Sequence, residues 1–415
     1  MEIIKHKKYE IILKTIKLNK KYKLNKICLL IIYQLIIIII NKIQNYEIFY
    51  ERKIKNEIIN LIKYYEICNK GILLNKRKFN KNDNPKVSII SAIHNREKTL
   101  LRLLRSIQNQ LFDDVEIILV DDCSTDNSIK LIQEYQKEDQ RILLIKNKIN
   151  KGTLISRNIG VLKAKGKYII IPDSDDIFAK DIINVCYKIA IKNNYEIIRY
   201  NVYEGQNKDG LMKIVEQLES KQINQPELST YLFYGLGYLC LNEFTLWNKF
   251  IKREAFIRTL NNINLFYLNQ YMVIFEDGLI NYALYRNNKS LYLLKKIGYY
   301  YIFNNINSIQ FNSKIKYDLP KYFFLYIKFI LENSNNTKYQ KDMALHIFHL
   351  YNNHAQFINL VNKNFQLYKD VINFFLHYKY ISLKDKIQFK NLENIIKQNE
   401  KQFKNNGIKS AYKTI

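Results

Sequence analysis

Proline and glycine are scarce in this 415-residue chain, at four and 11 residues. So little of either excludes a collagen-like repeat and long Gly/Ser-rich or Pro-rich linkers. Cysteine is also rare. Cys28, Cys68, Cys123, Cys186 and Cys240 form no C-x-x-C pair, and five of them exclude a fully paired disulfide framework and a zinc ribbon. Acidic residues are outnumbered, 38 against 66 Lys and Arg, which leaves a formal charge of +28. With 47% hydrophobic residues the chain is still a folded one, because disorder couples high net charge to low hydrophobicity. Its length allows about two or three domains. The basic excess raises nucleic acid as a partner. Most of it is Lys, in a chain equally crowded with Ile, Asn and Tyr, and no RNP, KH, zinc-finger or basic-zipper pattern accompanies it. It is read as compositional, with Lys on solvated faces, and no nucleic-acid partner is expected.

One apolar run stands out near the start. Residues 27–40 (ICLLIIYQLIIIII) carry no charge and follow residues 1–26, which hold nine Lys and two Glu. The run is shorter than the ~17–20 residues that cross a bilayer and within the ~7–15 of a signal-peptide core. However, Asn41-Lys42-Ile43-Gln44-Asn45 offers no small-x-small cleavage site. Snorkelling by Lys26 and Lys42 lengthens the span. An uncleaved signal-anchor is the expectation, with a cleaved signal or a buried amphipathic helix as alternatives. As an anchor, it keeps the Lys-rich N-terminus cytosolic, which implies a single-pass ER or Golgi protein with a lumenal body. Residues 43–80 then read as a stem, and 75–84 as a linker.

The pattern changes at Pro85. Residues 87–93 (VSIISAI), 115–120 (VEIILV), 142–145 and 168–171 read as short buried strands. Between them, 97–110, 126–138 and 153–164 repeat apolar residues at helical spacing. Strands alternating with helices imply a mostly parallel α/β sheet covered on both faces. In such sheets, ligands bind beyond the carboxyl ends of the strands. Those ends here carry His94-Asn95, Asp121-Asp122 and Asp173-Ser174-Asp175-Asp176. Acidic strand ends can accept from a nucleoside and hold a hard divalent cation. They also serve as ordinary turn and cap residues.

These segments resemble the family 2 glycosyltransferases of GT-A fold over residues 85–305. The likeness is densest in VSIISAIHN (87–95), NQLFDDVEIILVDDCSTDNS (109–128) and NKGTLISRNIGVLKAKGKYIIIPDSDD (150–176). Cys123 stands where that family usually has Gly, Ser91-Ala92 where it has Ile-Pro, and His94 where it has Tyr. The resemblance implies a nucleobase pocket lined by Ala92, His94 and Asp122, with Arg157 leaning toward the diphosphate. It places Asp173 at the ribose or sugar and assigns a divalent metal, Mn²⁺ or Mg²⁺, to Asp175, with Asp176 as a substitute. Further on, TLWNKFI (245–251) resembles an acceptor-side segment, in which Trp247 is either a core aromatic or a sugar-stacking platform. Glu276-Asp277 matches the family's acidic pair, with Asp277 as general base and Glu276 in support; its alternative is a helix cap.

The resemblance therefore implies an inverting transferase that moves a sugar from a nucleotide sugar, a UDP-sugar foremost, to a hydroxyl of a glycan, protein or lipid. The competing readings are a nucleotidyltransferase and an inactive membrane adaptor on the same scaffold. The domains expected are an N-terminal anchor and stem (1–84), the α/β catalytic domain (85–310) and a helical extension (311–415). His346, His349 and His354 in that extension read as helix histidines, not metal ligands. Asn288-Lys289-Ser290 has the form of a glycosylation sequon.

Overall fold

In the computed structural model, the apolar runs after Pro85 become strands. Residues 83–206 and 245–303 are described throughout, with shorter pieces between 60 and 81, 212 and 225, and 322 and 394. The chain divides into two compact units, Met1–Glu66 and Ile67–Ile415, and the elements below belong to the second. The run at 27–40 and His346, His349 and His354 of the extension lie outside the described residues. Among the described residues, no helix is long and apolar enough to cross a membrane.

Strand β1 (Val87–Ile93) lies parallel to β2 (Val115–Asp121) and to β4 (Tyr168–Ile170), and β2 lies parallel to β3 (Ile142–Lys146). Helices α1 (Leu100–Gln108), α2 (Ser128–Glu138) and α3 (Thr153–Lys163) connect them. Every residue of β2 is buried, and every residue of β1 except Ala92, as strands covered on both faces require. Gly160 explains how closely α3 sits: a Cβ there would meet Ile90 Cγ2 at 2.3 Å, so only glycine lets the helix settle on β1.

The second half of the sheet corrects the mostly parallel expectation. After β5 (Ile177–Phe178) and α4 (Ile182–Asn193) come β6 (Ile197–Gln206), β7 (Met212–Ile214) and β8 (Lys221–Asn224). Then follow β9 (Lys249–Lys252), α5 (Arg253–Asn261), α6 (Leu265–Leu268), α7 (Glu276–Asn287) and β10 (Ser290–Phe303). The strand order is β3-β2-β1-β4-β9-β6-β10-β5, with β7 on β6 and β8 on β10. Strand β9 is antiparallel to both β4 and β6, because it runs back from the 245–248 turn into α5. The sheet is therefore mixed. Strand β10 was hard to read in the sequence because its register on β6 shifts between Leu294 and Ile297, around Lys295-Lys296, which breaks the period-2 alternation.

Two local findings bear on the sequence reading. Phe79 is buried, bridges to Asp139 and lies 4.1 Å beneath the Arg141 guanidinium, so this part of the 75–84 stretch is docked on the domain. Asn288 is buried, with its amide donating to Thr259 Oγ1 and Leu284 O, which leaves that sequon no room for a glycan.

Candidate functional site

The parallel strands β1, β2 and β4 deliver their carboxyl ends to one edge. A cleft of about 290 Å³ opens there. Among the described residues, its lining comprises Ala92 and Arg96 after β1, Thr153 and Arg157 at the start of α3, Asp173-Ser174-Asp175 after β4, Val273, Ile274, Glu276 and Asp277 at the start of α7, and Tyr301-Ile302 of β10. Six of the expected residues meet in it: Ala92, Arg157, Asp173, Asp175, Glu276 and Asp277.

Arg157 is the centre of the arrangement. It is 6% exposed, and its guanidinium ties three carboxylates from the two halves of the domain. Nη2 donates to Asp173 Oδ1 at 2.5 Å, and Nη1 donates to Glu276 Oε1 at 3.0 Å and to Asp277 Oδ1. The resemblance had aimed this side chain at a diphosphate; its fork is instead spent on carboxylates. Asp277 receives a second donor, the Leu246 N–H on Oδ2 at 3.1 Å.

Burial raises the acids that share this guanidinium. Asp173 is pushed up to about 6 by burial and by Asp277 and Asp175, against the pull of Arg157. Glu276 is pushed up to about 7 by burial and the neighbouring Asp277, again against Arg157. Arg157 itself loses by burial but is driven further up by Asp277, Asp173 and Glu276. Both carboxyls therefore hold protons more tightly in the folded chain than in the unfolded one. Their contribution to stability is fullest below the ordinary carboxyl values and is lost as pH rises through about 6 to 7. Denaturant unfolding between pH 5 and 8 should show wild-type stability falling with pH, and Glu276→Gln should flatten that slope.

The backbone of the acidic turn is fastened from several sides. Asp173 N–H donates to Tyr299 Oη at 3.0 Å, Arg102 Nε donates to Asp175 O at 2.6 Å, and Ser91 Oγ donates to Pro172 O at 3.0 Å. Arg96 Nε donates to Ser174 Oγ at 3.2 Å. Asp176 departs from its expected place. It is fully buried, does not line the cleft and accepts from Ile302 N–H at 2.8 Å. Burial, with Asp175 and Asp173 nearby, raises it well above the usual carboxylate range.

The expected base pocket is arranged differently too. Asp122 accepts from Asn147 Nδ2 (2.9 Å), Lys151 N–H (2.8 Å) and Gly152 N–H (2.8 Å), so it anchors the loop between β3 and α3. Gly152 is needed in that loop: its φ is +85°, and a Cβ would stand 3.0 Å from Met272 O. His94 donates from Nδ1 to Asp122 O at 2.9 Å and is exposed beside Asn150. Neither Asp122 nor His94 lines the cleft. Trp247 is 5% exposed and stacks on Tyr299 (4.9 Å) and Tyr301 (5.5 Å), the arrangement of a core aromatic; Tyr301 is the ring that reaches the cleft. Arg96, Thr153 and Tyr301 were missed by sequence reading, although Arg96 stands three residues after the end of β1 and Thr153 opens α3.

Cys123 has φ +63°, the left-handed region, which explains why glycine is usual there. Left-handed geometry costs a residue with a Cβ about 1–2 kcal/mol, and glycine's looser unfolded chain returns about 0.5–1. Cys123→Gly should therefore stabilise by about 0.5–1 kcal/mol in denaturant unfolding, and Cys123→Val should destabilise.

Residues 88–259 match the family model for glycosyl transferase family 2. This region is a family 2 glycosyltransferase domain. The chain is 30% identical over 178 residues to glycosyltransferase GlyG of Streptococcus pneumoniae, covering 41% of this chain and 58% of that protein. It is 30% identical over 204 residues to the cholesterol galactosyltransferase of Borreliella burgdorferi, covering 46% of this chain and 53% of that protein. The chain thus spans little more than half the length of these two relatives. The fold resembles that of Staphylococcus aureus TarS in its complex with UDP-GlcNAc, at a TM-score of 0.52 and 21% identity, covering 68% of this chain and 81% of that one. That likeness fits the family 2 domain to the GT-A arrangement and extends no further than the fold.

Proposed function

We propose that this protein is an inverting glycosyltransferase that uses a nucleotide sugar, most simply a UDP-sugar, as donor. The observation that carries the reading is the meeting of Asp173 and Asp175 with Glu276 and Asp277 in one cleft, at the carboxyl edge of a family 2 domain. The N-terminus of α3, at Thr153, and the Arg96 guanidinium both border this cleft. Helix N-termini and guanidinium groups suit phosphate oxygens, so these two features are assigned to the diphosphate. Arg157 is assigned to holding the carboxylates. Tyr301 offers an aromatic edge for a sugar, backed by Trp247.

In the proposed reaction, an acceptor hydroxyl oxygen attacks the anomeric carbon as its bond to the phosphate oxygen breaks. The electron pair leaves on the nucleoside diphosphate. The hydroxyl proton passes to Asp277, whose two oxygens retain lone pairs beside their bonds to Arg157 and Leu246. Glu276 shares the guanidinium and sets the local charge. The acidic turn has the donor set of a hard divalent cation: Asp173 and Asp175 supply carboxylate oxygens, and donor phosphates would complete the shell. Among the described residues, no cluster of three or more His, Cys, Asp or Glu is poised as a ready cage. When bound, such a cation neutralises charge developing on the leaving diphosphate.

A thermal-shift screen tests the reading. UDP with Mn²⁺ should raise the melting temperature, because a ligand at a hundred times its Kd adds about 2.7 kcal/mol. Arg96→Ala should reduce the shift. A wild-type protein that responds to no nucleoside diphosphate, with or without metal, would overturn the assignment of this cleft to a nucleotide sugar.

A further inference from the structure

The turn that leads into β9 contains a buried cation. Lys249 is 0% exposed, and its Nζ donates to Thr245 O and, at 2.9 Å, to Asn248 Oδ1. Its backbone N–H donates to Leu246 O at 3.2 Å. The residue thus closes residues 245–249 on themselves from both its backbone and its side chain. The turn is tied in turn to β6, where Tyr200 Oη donates to Trp247 O at 2.8 Å. Within the turn, Leu246 donates its own N–H to Asp277 Oδ2. That contact depends on the orientation of the Thr245–Leu246 peptide plane, whose carbonyl oxygen, Thr245 O, is held by the Lys249 ammonium.

Burying an ammonium is costly unless its donors are engaged. A methionine or leucine would fill the same apolar volume without that cost, but it would leave Thr245 O and Asn248 Oδ1 without this donor. We propose that Lys249 is a positioning residue for Asp277, acting through the Leu246 N–H, so that the carboxylate is held from the turn on one side and from Arg157 on the other. The inference rests on the reading of Asp277 as general base.

The test combines amide exchange with kinetics on the full chain. In wild type, the Leu246 amide should exchange slowly. Lys249→Met, which keeps the length and removes the donor, should speed that exchange, and Lys249→Gln serves as the second variant should the first fail to fold. Release of UDP from UDP-N-acetylglucosamine should slow on the order of tenfold in kcat with KM for the donor nearly unchanged, since modest misplacement of a reacting group costs one to two decades. In an Asp277→Asn background, Lys249→Met should cost nothing further, as expected for two residues acting through one contact. Unchanged Leu246 exchange in Lys249→Met, or a full additive loss in the double variant, overturns the positioning role. Wild-type turnover in Asp277→Asn alone would instead overturn the base on which the inference rests.

Discussion

Replacing Asp277 with Asn should lower kcat by about 10²–10⁴-fold, or about 3–5 kcal/mol of barrier, the range of a lost general base. Nucleoside-diphosphate affinity in the presence of Mn²⁺ should stay near the wild-type value. The expectation follows from where the side chain sits. Asp277 lies in the first turn of α7, and its N–H donor on Oδ2 comes from Leu246, far in sequence from the strands that border the donor side. Asn retains the shape and one acceptor oxygen but cannot take up a proton. Paired binding and initial-rate measurements separate the outcomes. Equal loss of donor affinity and kcat would place Asp277 in the donor site, and undiminished turnover would make the Glu276-Asp277 pair a helix cap.

Arg157→Met should be the most destabilising single change in the cleft. It leaves Asp173, Glu276 and Asp277 gathered around no cation. Removing one partner of a buried ion pair costs about 3–5 kcal/mol, so a fall in melting temperature on the order of 10 °C is expected. The deficit should shrink on acidification. Asp173 and Glu276 already titrate high, near 6 and 7, and without the guanidinium they would rise further, so protonation below neutral pH relieves the repulsion. Arg157→Lys restores the charge without the fork and should recover only part of the loss. Thermal melts at pH 5 and pH 8 check this. A variant as stable as wild type at pH 8 would mean that the carboxylates find another partner there.

The legible part of the molecule was the part with strong local period. Strands β1 to β4 and helices α1 to α3 appear within a few residues of their expected bounds, because buried parallel strands leave unbroken β-branched runs and their helices a clear apolar stripe. The second, mixed half was not legible. Strand β9 is four residues long, and β10 carries Lys295-Lys296 at its register shift, so neither shows a clean alternation. At the site, the same distinction holds between residue type and direction. Acidic residues at strand ends were readable as a cluster, but the side-chain directions of Asp122 and Asp176 were not. One is engaged by a loop closed by Gly152, and the other by the backbone of β10. Arg157 shows the same limit over a longer reach: its partners Glu276 and Asp277 lie 119 and 120 residues away, a distance at which spacing says nothing about contact. In the sequence Trp247 fits a core aromatic and a platform equally, and the tyrosines that cover it come from β10, whose register shift hides its alternation.

The most direct measurement is the release of UDP from UDP-N-acetylglucosamine and other UDP-sugars, with Mn²⁺ and with EDTA, by the wild-type protein beside Asp175→Asn and Asp277→Asn. The account predicts release by wild type in Mn²⁺, its loss in EDTA and in Asp175→Asn, and a reduction of about 10²–10⁴-fold in Asp277→Asn. Release that persists unchanged in both variants, or turnover of a nucleoside triphosphate and a sugar phosphate to pyrophosphate in its place, would contradict it.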